Sequence, residues 1–295
     1  MSIPPPPMSA RAWHCTTRLE TDAVLVRDDS ERRAVVRAIL RNGRRAGLIA
    51  FAVVDTHLHA LFVGERAEVG EAMRCIELSC HRRLGLRNRF DGARILPVRD
   101  QHHLRNVVPY ILDQVKRHDL WTDPLQEGSA LQDLLGLRPI GAFLSPTLQA
   151  DLPRLSLPSL WRRLGVEPEE AFAWAAPLGT ADLPYLQEAA LAAFAAQTTT
   201  GRSRHQRRVR AAMAHAAAGL SARKVGRAVG VTHSTVARLW NEPVPVSWVE
   251  AIRRQVRLRR RLAEGGSPPG GDSVSDPRGV RSKPVGRKVG GRQIQ

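Results

Sequence analysis

Four side chains in this sequence have types and spacings that could do phosphate chemistry. The run "VDTHLHALFVG", Val54 to Gly64, places His57 and His59 either side of one leucine in an otherwise apolar stretch. If the run is a strand, its side chains alternate faces, so both imidazoles point the same way and Leu58 points opposite. Such a pair is half of a divalent metal site, and a third ligand must come from elsewhere. The segment "HLRNVVPYILDQVKRH" supplies two further candidates, Tyr110 and Gln114, four residues apart and on one face if the segment is helical. Two imidazoles and an amide oxygen with open positions suit Mg²⁺ or Mn²⁺ holding a phosphate oxygen better than a closed structural zinc. Tyr110, whose phenol class has a reference pKa near 10, needs a metal or a neighbour before it can act as a nucleophile.

The surrounding pattern supplies elements to position these residues. "RAWHCTTRL" reads as a strand, "DSERRAVVRAILRNGRRAG" as an amphipathic helix with an acidic or serine cap, and "LIAFAVVD" and "HLHALFVG" as strands joined by a tight turn. "AEVGEAMRCIELSCHRRLG" reads as a helix closed by Gly85 after Arg82 and Arg83. "GARILPV" follows as a strand, and "DQHHLRNVVPYILDQVKRH" as a third helix carrying Tyr110 and Gln114. That order predicts an α+β domain, a mostly antiparallel sheet covered by helices.

The net charge is +17, carried mainly by arginine and unevenly placed. Residues 145–200 hold three basic and six acidic residues, whereas residues 201–262 hold fifteen basic and two acidic. An excess of this kind favours a polyanionic partner, nucleic acid before membrane. Within the basic region, "GLSARKVGRAVGVTHSTVARLWN" has the apolar spacing of two short helices around Gly230, with Thr232 placed to cap the second. Read as a helix-turn-helix, it would present Thr232, His233, Ser234 and Arg238 to base edges of duplex DNA. Arg207, Arg208, Lys224 and Arg227 would meet phosphates. An ordinary basic helical hairpin would show the same spacing.

Together the N-terminal pieces resemble the single-tyrosine HUH transposases, in particular the REP-associated tyrosine transposases and related insertion-sequence enzymes. "WHCTTR" resembles the opening strand of that family, "THLHALF" its histidine-hydrophobic-histidine strand, "NRF" (Asn88 to Phe90) an Arg-Phe pair ahead of its last strand, and "PYILDQV" its tyrosine helix. The resemblance covers about residues 11–120 and implies an HUH, ferredoxin-like sheet. It implies His57, His59 and Gln114 as ligands of Mg²⁺ or Mn²⁺ and Tyr110 as the nucleophile. It also implies cleavage and rejoining of single-stranded DNA, hairpin or palindromic, through a covalent 5′-phosphotyrosine. The chain differs in having Thr56 before the first histidine and Gln114-Val115 in place of Asn-Pro. Two rival readings use the same residues: a non-catalytic, domesticated DNA-binding regulator, and a metal-dependent phosphodiesterase that activates water. Monomer and homodimer are both compatible with the sequence.

Other residues complete the expectations. Arg18, Arg82, Arg83, Arg87 and Arg89 are candidates to line a DNA groove; His102 and His103 could touch DNA or substitute as base; His14 could lie beside the metal but is expected as a core or edge histidine, and Tyr185 as a packing residue. No apolar run reaches the roughly 18 to 20 residues of a membrane span. The start, "MSIPPPPMSA", lacks the features of a signal peptide, and Cys15, Cys75 and Cys80 form no paired framework, so a cytoplasmic protein is expected. The expected divisions are a disordered tail at 1–10, a catalytic domain at 11–145, a helical connection at 146–200, a helix-turn-helix domain at 201–262 and a disordered basic tail at 263–295.

Overall fold

The structure, a computed structural model, describes residues 11–114, 118, 127–152, 155–197 and 202–265. The tail expected at 1–10, residues 115–117 of the segment read as the third helix, and residues 266–295 of the tail expected at 263–295 lie outside these residues; Ala263 ends the last helix.

Alternation of apolar and polar residues in "AWHCTTR" yields β1 (Ala12–Arg18), and near-continuous apolar runs yield β2 (Leu48–Val53) and β3 (His57–Val63). Between β1 and β2 runs helix α1 (Asp29–Gly43), opened by the Asp28 side chain accepting from the Glu31 amide. Helix α2 (Arg66–Leu84) follows β3, and the left-handed Gly85, at φ 59°, closes it. Strand β4 (Arg94–Val98) and helix α3 (Gln101–Leu112), capped by Asp100, complete the unit. The sheet has the order β2-β3-β1-β4 and every neighbour is antiparallel. This βαββαβ topology is the ferredoxin-like arrangement of the α+β class expected from the sequence.

Helices α1 and α2 pack side by side on one face of the sheet. Cys15, Thr17, Leu58, Ala60 and Phe62 point to that face and are buried there. A Thr17 hydroxyl donating to Glu77 of α2 at 2.6 Å marks the same contact. The opposite face carries His14, Thr16, His57 and His59, with Thr16 opposite His59 and Arg18 opposite His57, and α3 packs across it. Beyond the edge of β2, residues 128–130 add backbone hydrogen bonds, Val53 N–H to the Gly128 carbonyl at 2.8 Å and Ala130 N–H to the Phe51 carbonyl at 2.9 Å.

The remaining described chain is helical. Short helices α4 (Leu131–Leu134), α5 (Leu144–Asp151) and α6 (Pro168–Ala173) belong to the same core as the sheet. A second core gathers residues from α7 (Leu186–Phe194), α8 (Arg202–Ala216), α9 (Ala222–Val229), α10 (His233–Trp240) and α11 (Val246–Ala263). Leu258 of α11 packs into the first core, and Gln255 donates to the Leu137 carbonyl at 3.2 Å, so α11 ties the two together.

Candidate active site

The sheet's period places His57 and His59 on one face, two residues apart on β3, with their Nε2 atoms 3.0 Å apart. Two ligand atoms each about 2.1 Å from one ion and at right angles lie about 3.0 Å from each other. The pair therefore has the separation of cis ligands in an octahedral shell. Each ring is also held from behind. The Thr56 hydroxyl lies 3.0 Å from His57 Nδ1, and His14 Nε2 lies 3.0 Å from His59 Nδ1, with the His14 and His59 rings stacked at a 5.3 Å centroid separation. His14, expected as a core or edge histidine, is thus part of this cluster: the antiparallel register sets it one step from His59, above Thr16, on the same face.

Helix α3 brings Tyr110 edge-on to two of these rings, 5.8 Å from the His14 centroid and 5.8 Å from that of His59. Helix α3 runs to Leu112, the chain turns at Asp113 and helical backbone resumes at Gln114, whose carbonyl accepts from the His118 amide at 3.1 Å, so Tyr110 and Gln114 keep the i, i+4 relation expected of them. The Gln114 side chain turns back and donates to the Tyr110 carbonyl at 3.1 Å, so the two residues are still coupled. Gln114 lies close enough to His59 to act weakly against the lowering of its pKa. Gln114 and His59 are buried, and His57, His14 and Tyr110 are half-buried. His118, exposed, stands 5.0 Å from the His57 ring.

Burial lowers all three imidazoles. His59 falls to about 3 through burial first, then through His57, His14 and His118. His57 is lowered by burial, then His118 and Arg18; His14 by burial, then His103. Neutral imidazoles keep the lone pairs that a cation requires. Among the described residues, no group of three or more His, Cys, Asp or Glu side chains is arranged to hold a metal ion. The ligand set that fits here is two imidazoles and the Gln114 amide, because His14 faces the far nitrogen of His59 and is not a third ligand.

The arginine candidates divide. Arg18 ends β1 opposite His57, more than half exposed, in an ion pair with Asp91 at 2.9 Å. Arg87 and Arg89 are exposed on the loop beside it, where the Glu20 amide donates to the Arg89 carbonyl and Leu19 bridges Phe90. Arg82 and Arg83 are exposed at the end of α2, across the sheet from the histidines, and the structure does not bring them to the cluster. His102 is exposed and turned to Asn106, and Tyr185 packs against the second core.

In the C-terminal region, α9 and α10 meet at Gly230, whose φ of 76° suits glycine, and the Val231 amide donates to the Gly226 carbonyl at 2.9 Å. Thr232 caps α10, its hydroxyl accepting from the Thr235 amide. Thr232, His233, Ser234 and Arg238 are exposed, as are Lys224, Arg227, Arg207 and Arg208. Arg207 pairs with Glu242, and Arg208 lies over the Trp248 ring at 4.9 Å. A cavity of about 270 Å³ opens between α8 and α10, lined by Arg207, Arg210, Thr235 and Arg238.

No family model and no curated protein matches the chain. Among solved structures, a REP-associated tyrosine transposase bound to a REP hairpin is similar over 44% of this chain and 82% of that chain, with 16% sequence identity and a TM-score of 0.36. Among the described residues, no helix is long and apolar enough to cross a membrane.

Proposed function

We propose that the chain is a transposase that cleaves and rejoins single-stranded DNA, hairpin or palindromic, through a covalent 5′-phosphotyrosine on Tyr110. One observation carries this reading. A histidine pair at cis-ligand spacing, kept neutral by burial, and a tyrosine edge-on to it converge on one face of the sheet.

In this reading His57, His59 and Gln114 hold Mg²⁺ or Mn²⁺. When bound, the ion withdraws charge from the scissile phosphate and stabilises the departing 3′ oxygen. Tyr110 Oη attacks phosphorus and gives up its proton as the O–P bond forms; the P–O3′ bond breaks, and the 3′ oxygen takes up a proton. A 3′ hydroxyl of another strand then reverses the step and frees Tyr110, so the phosphodiester is conserved without a nucleotide cofactor. The Gln114 bond to the Tyr110 carbonyl couples the end of α3 to the ligand set. Arg18, Arg87 and Arg89, exposed beside His57, attract the polyanion to that edge. The α9–α10 pair adds affinity for duplex DNA, with Thr232, His233, Ser234 and Arg238 at the bases.

Incubation with single-stranded hairpin oligonucleotides and Mn²⁺ or Mg²⁺ tests the proposal on a denaturing gel. A protein–DNA adduct is expected. Cleavage without an adduct would point to water as the nucleophile, and binding without cleavage under either metal to a regulator.

A further inference from the structure

The strand-transfer chemistry gives His14 no task, although it is the ring stacked on His59. Its Nε2 lies 3.0 Å from His59 Nδ1, and the two rings stack with only 15° between their planes. A contact of that length between ring nitrogens requires one donor and one acceptor. His59 can present Nε2 as a lone pair toward His57 only in the tautomer that carries its proton on Nδ1, and then His14 Nε2 is the acceptor. For His57 the Thr56 hydroxyl, 3.0 Å from Nδ1, occupies the equivalent position. By the same rule the 3.0 Å contact between His57 Nε2 and His59 Nε2 is one donor and one acceptor when no cation is shared. A shared cation needs both Nε2 lone pairs, and so needs both protons on Nδ1.

Resting on the metal site of the preceding section, we propose that His14 is the positioning residue of that site. It fixes the Nδ1–H tautomer and ring orientation of His59, as partners of metal-bound histidines commonly do. Loss of such a partner typically costs about 10–100-fold in metal affinity. Stacking without an acceptor cannot replace it, so the hydrogen bond and the packing are separable. His14→Phe keeps a ring against His59 and removes the acceptor, whereas His14→Gln places an amide oxygen near the position of Nε2.

The test is Mn²⁺ titration of the full chain, read from the electron paramagnetic resonance signal of free Mn²⁺, on wild type, His14→Gln, His14→Phe and His57→Ala. His14→Phe is expected to bind about 10–100-fold more weakly than wild type, and His14→Gln within a few-fold of it. Equal binding by His14→Phe and wild type, or equal weakening by His14→Phe and His14→Gln, overturns the role of His14. Undiminished binding by His57→Ala, or no binding by wild type, overturns the metal site itself. The ¹⁵N shifts of His59 in the Mg²⁺-loaded wild type need no substitution. A protonated Nδ1 is expected, and a protonated Nε2 refutes the proposal.

Discussion

Replacing Arg138 by methionine would expose how the sheet is buttressed behind its histidine strand. Arg138 and Asp133 are both almost fully buried. The guanidinium meets the carboxylate on two sides, Nε to Oδ1 at 2.8 Å and Nη2 to Oδ2 at 2.5 Å. It also donates to the Glu127 carbonyl at 2.8 Å and the Ser129 carbonyl at 3.1 Å, the residues that flank Gly128 where the chain hydrogen-bonds to β2. Arg138→Met leaves a buried carboxylate and these carbonyls without their donor, a loss of about 3–5 kcal/mol. At about 2–4 °C per kcal/mol, the midpoint of the sheet unit falls by about 6–20 °C. Burial pushes the Asp133 carboxyl up, and the neighbouring guanidinium pulls it down. Without Arg138 the upward push is opposed only by a backbone hydrogen bond, so the carboxyl rises further. A carboxyl whose folded pKa exceeds its unfolded value binds more protons when folded, so the deficit is full at neutral pH and shrinks as pH falls through that raised value. Thermal melts at several pH values read both effects. The double variant Asp133→Leu with Arg138→Met should recover most of the loss, since an apolar pair leaves no orphaned charge. A single variant that melts within 2 °C of wild type, or a deficit that grows on acidification, would refute the reasoning.

Other expectations follow from the C-terminal region and the ligand strand. A Cβ on Gly226 would sit 2.7 Å from the Val231 carbonyl oxygen, so Gly226→Ala should weaken duplex binding in filter assays while leaving hairpin cleavage by the sheet unit in place. Arg238→Ala, on the exposed face of α10, should cost about 1–3 kcal/mol of duplex affinity and relax sequence preference, read by competition between oligonucleotides. Thr232→Ala removes the cap accepted from the Thr235 amide and should lower stability of the second core by about 1 kcal/mol, seen by chemical denaturation. His57→Ala and His59→Ala should each abolish metal-dependent hairpin cleavage without affecting duplex binding, assayed on the same preparation.

Much of the sheet unit was legible because its signals are local. Strand patterning in "AWHCTTR", an acidic or serine opening for "DSERRAVV" and the Gly85 stop each act within a few residues, and the elements they predict are present, with the first helix capped one residue earlier, by Asp28. The facing of His57 and His59 needed only the period of a strand. From the sequence His14 reads as a core or edge histidine in preference to one beside the metal, because its place depends on β1 and β3 pairing in one register, Leu61 opposite His14, and nothing in "WHC" encodes that partner. The helical spacing of "YILDQ" puts Gln114 one turn from Tyr110, and the backbone is helical again at Gln114 after the turn at Asp113. The Gln114 side-chain bond to the Tyr110 carbonyl is a further coupling that periodicity does not register. Arg82 and Arg83 carried the right charge for a groove, but the side of the sheet on which α2 packs is decided by Val69, Met73 and Ile76, not by the arginines.

The central claim is covalent attachment to a particular phenol, and the chain's two tyrosines make that claim sharp. After reaction with a hairpin oligonucleotide and Mn²⁺, nuclease trimming and peptide mass spectrometry would locate the 5′-phosphonucleotide. The account predicts it on the peptide containing Tyr110 and on no other, and its loss in Tyr110→Phe. A nucleotide on Tyr185, or an adduct that survives Tyr110→Phe, would contradict it.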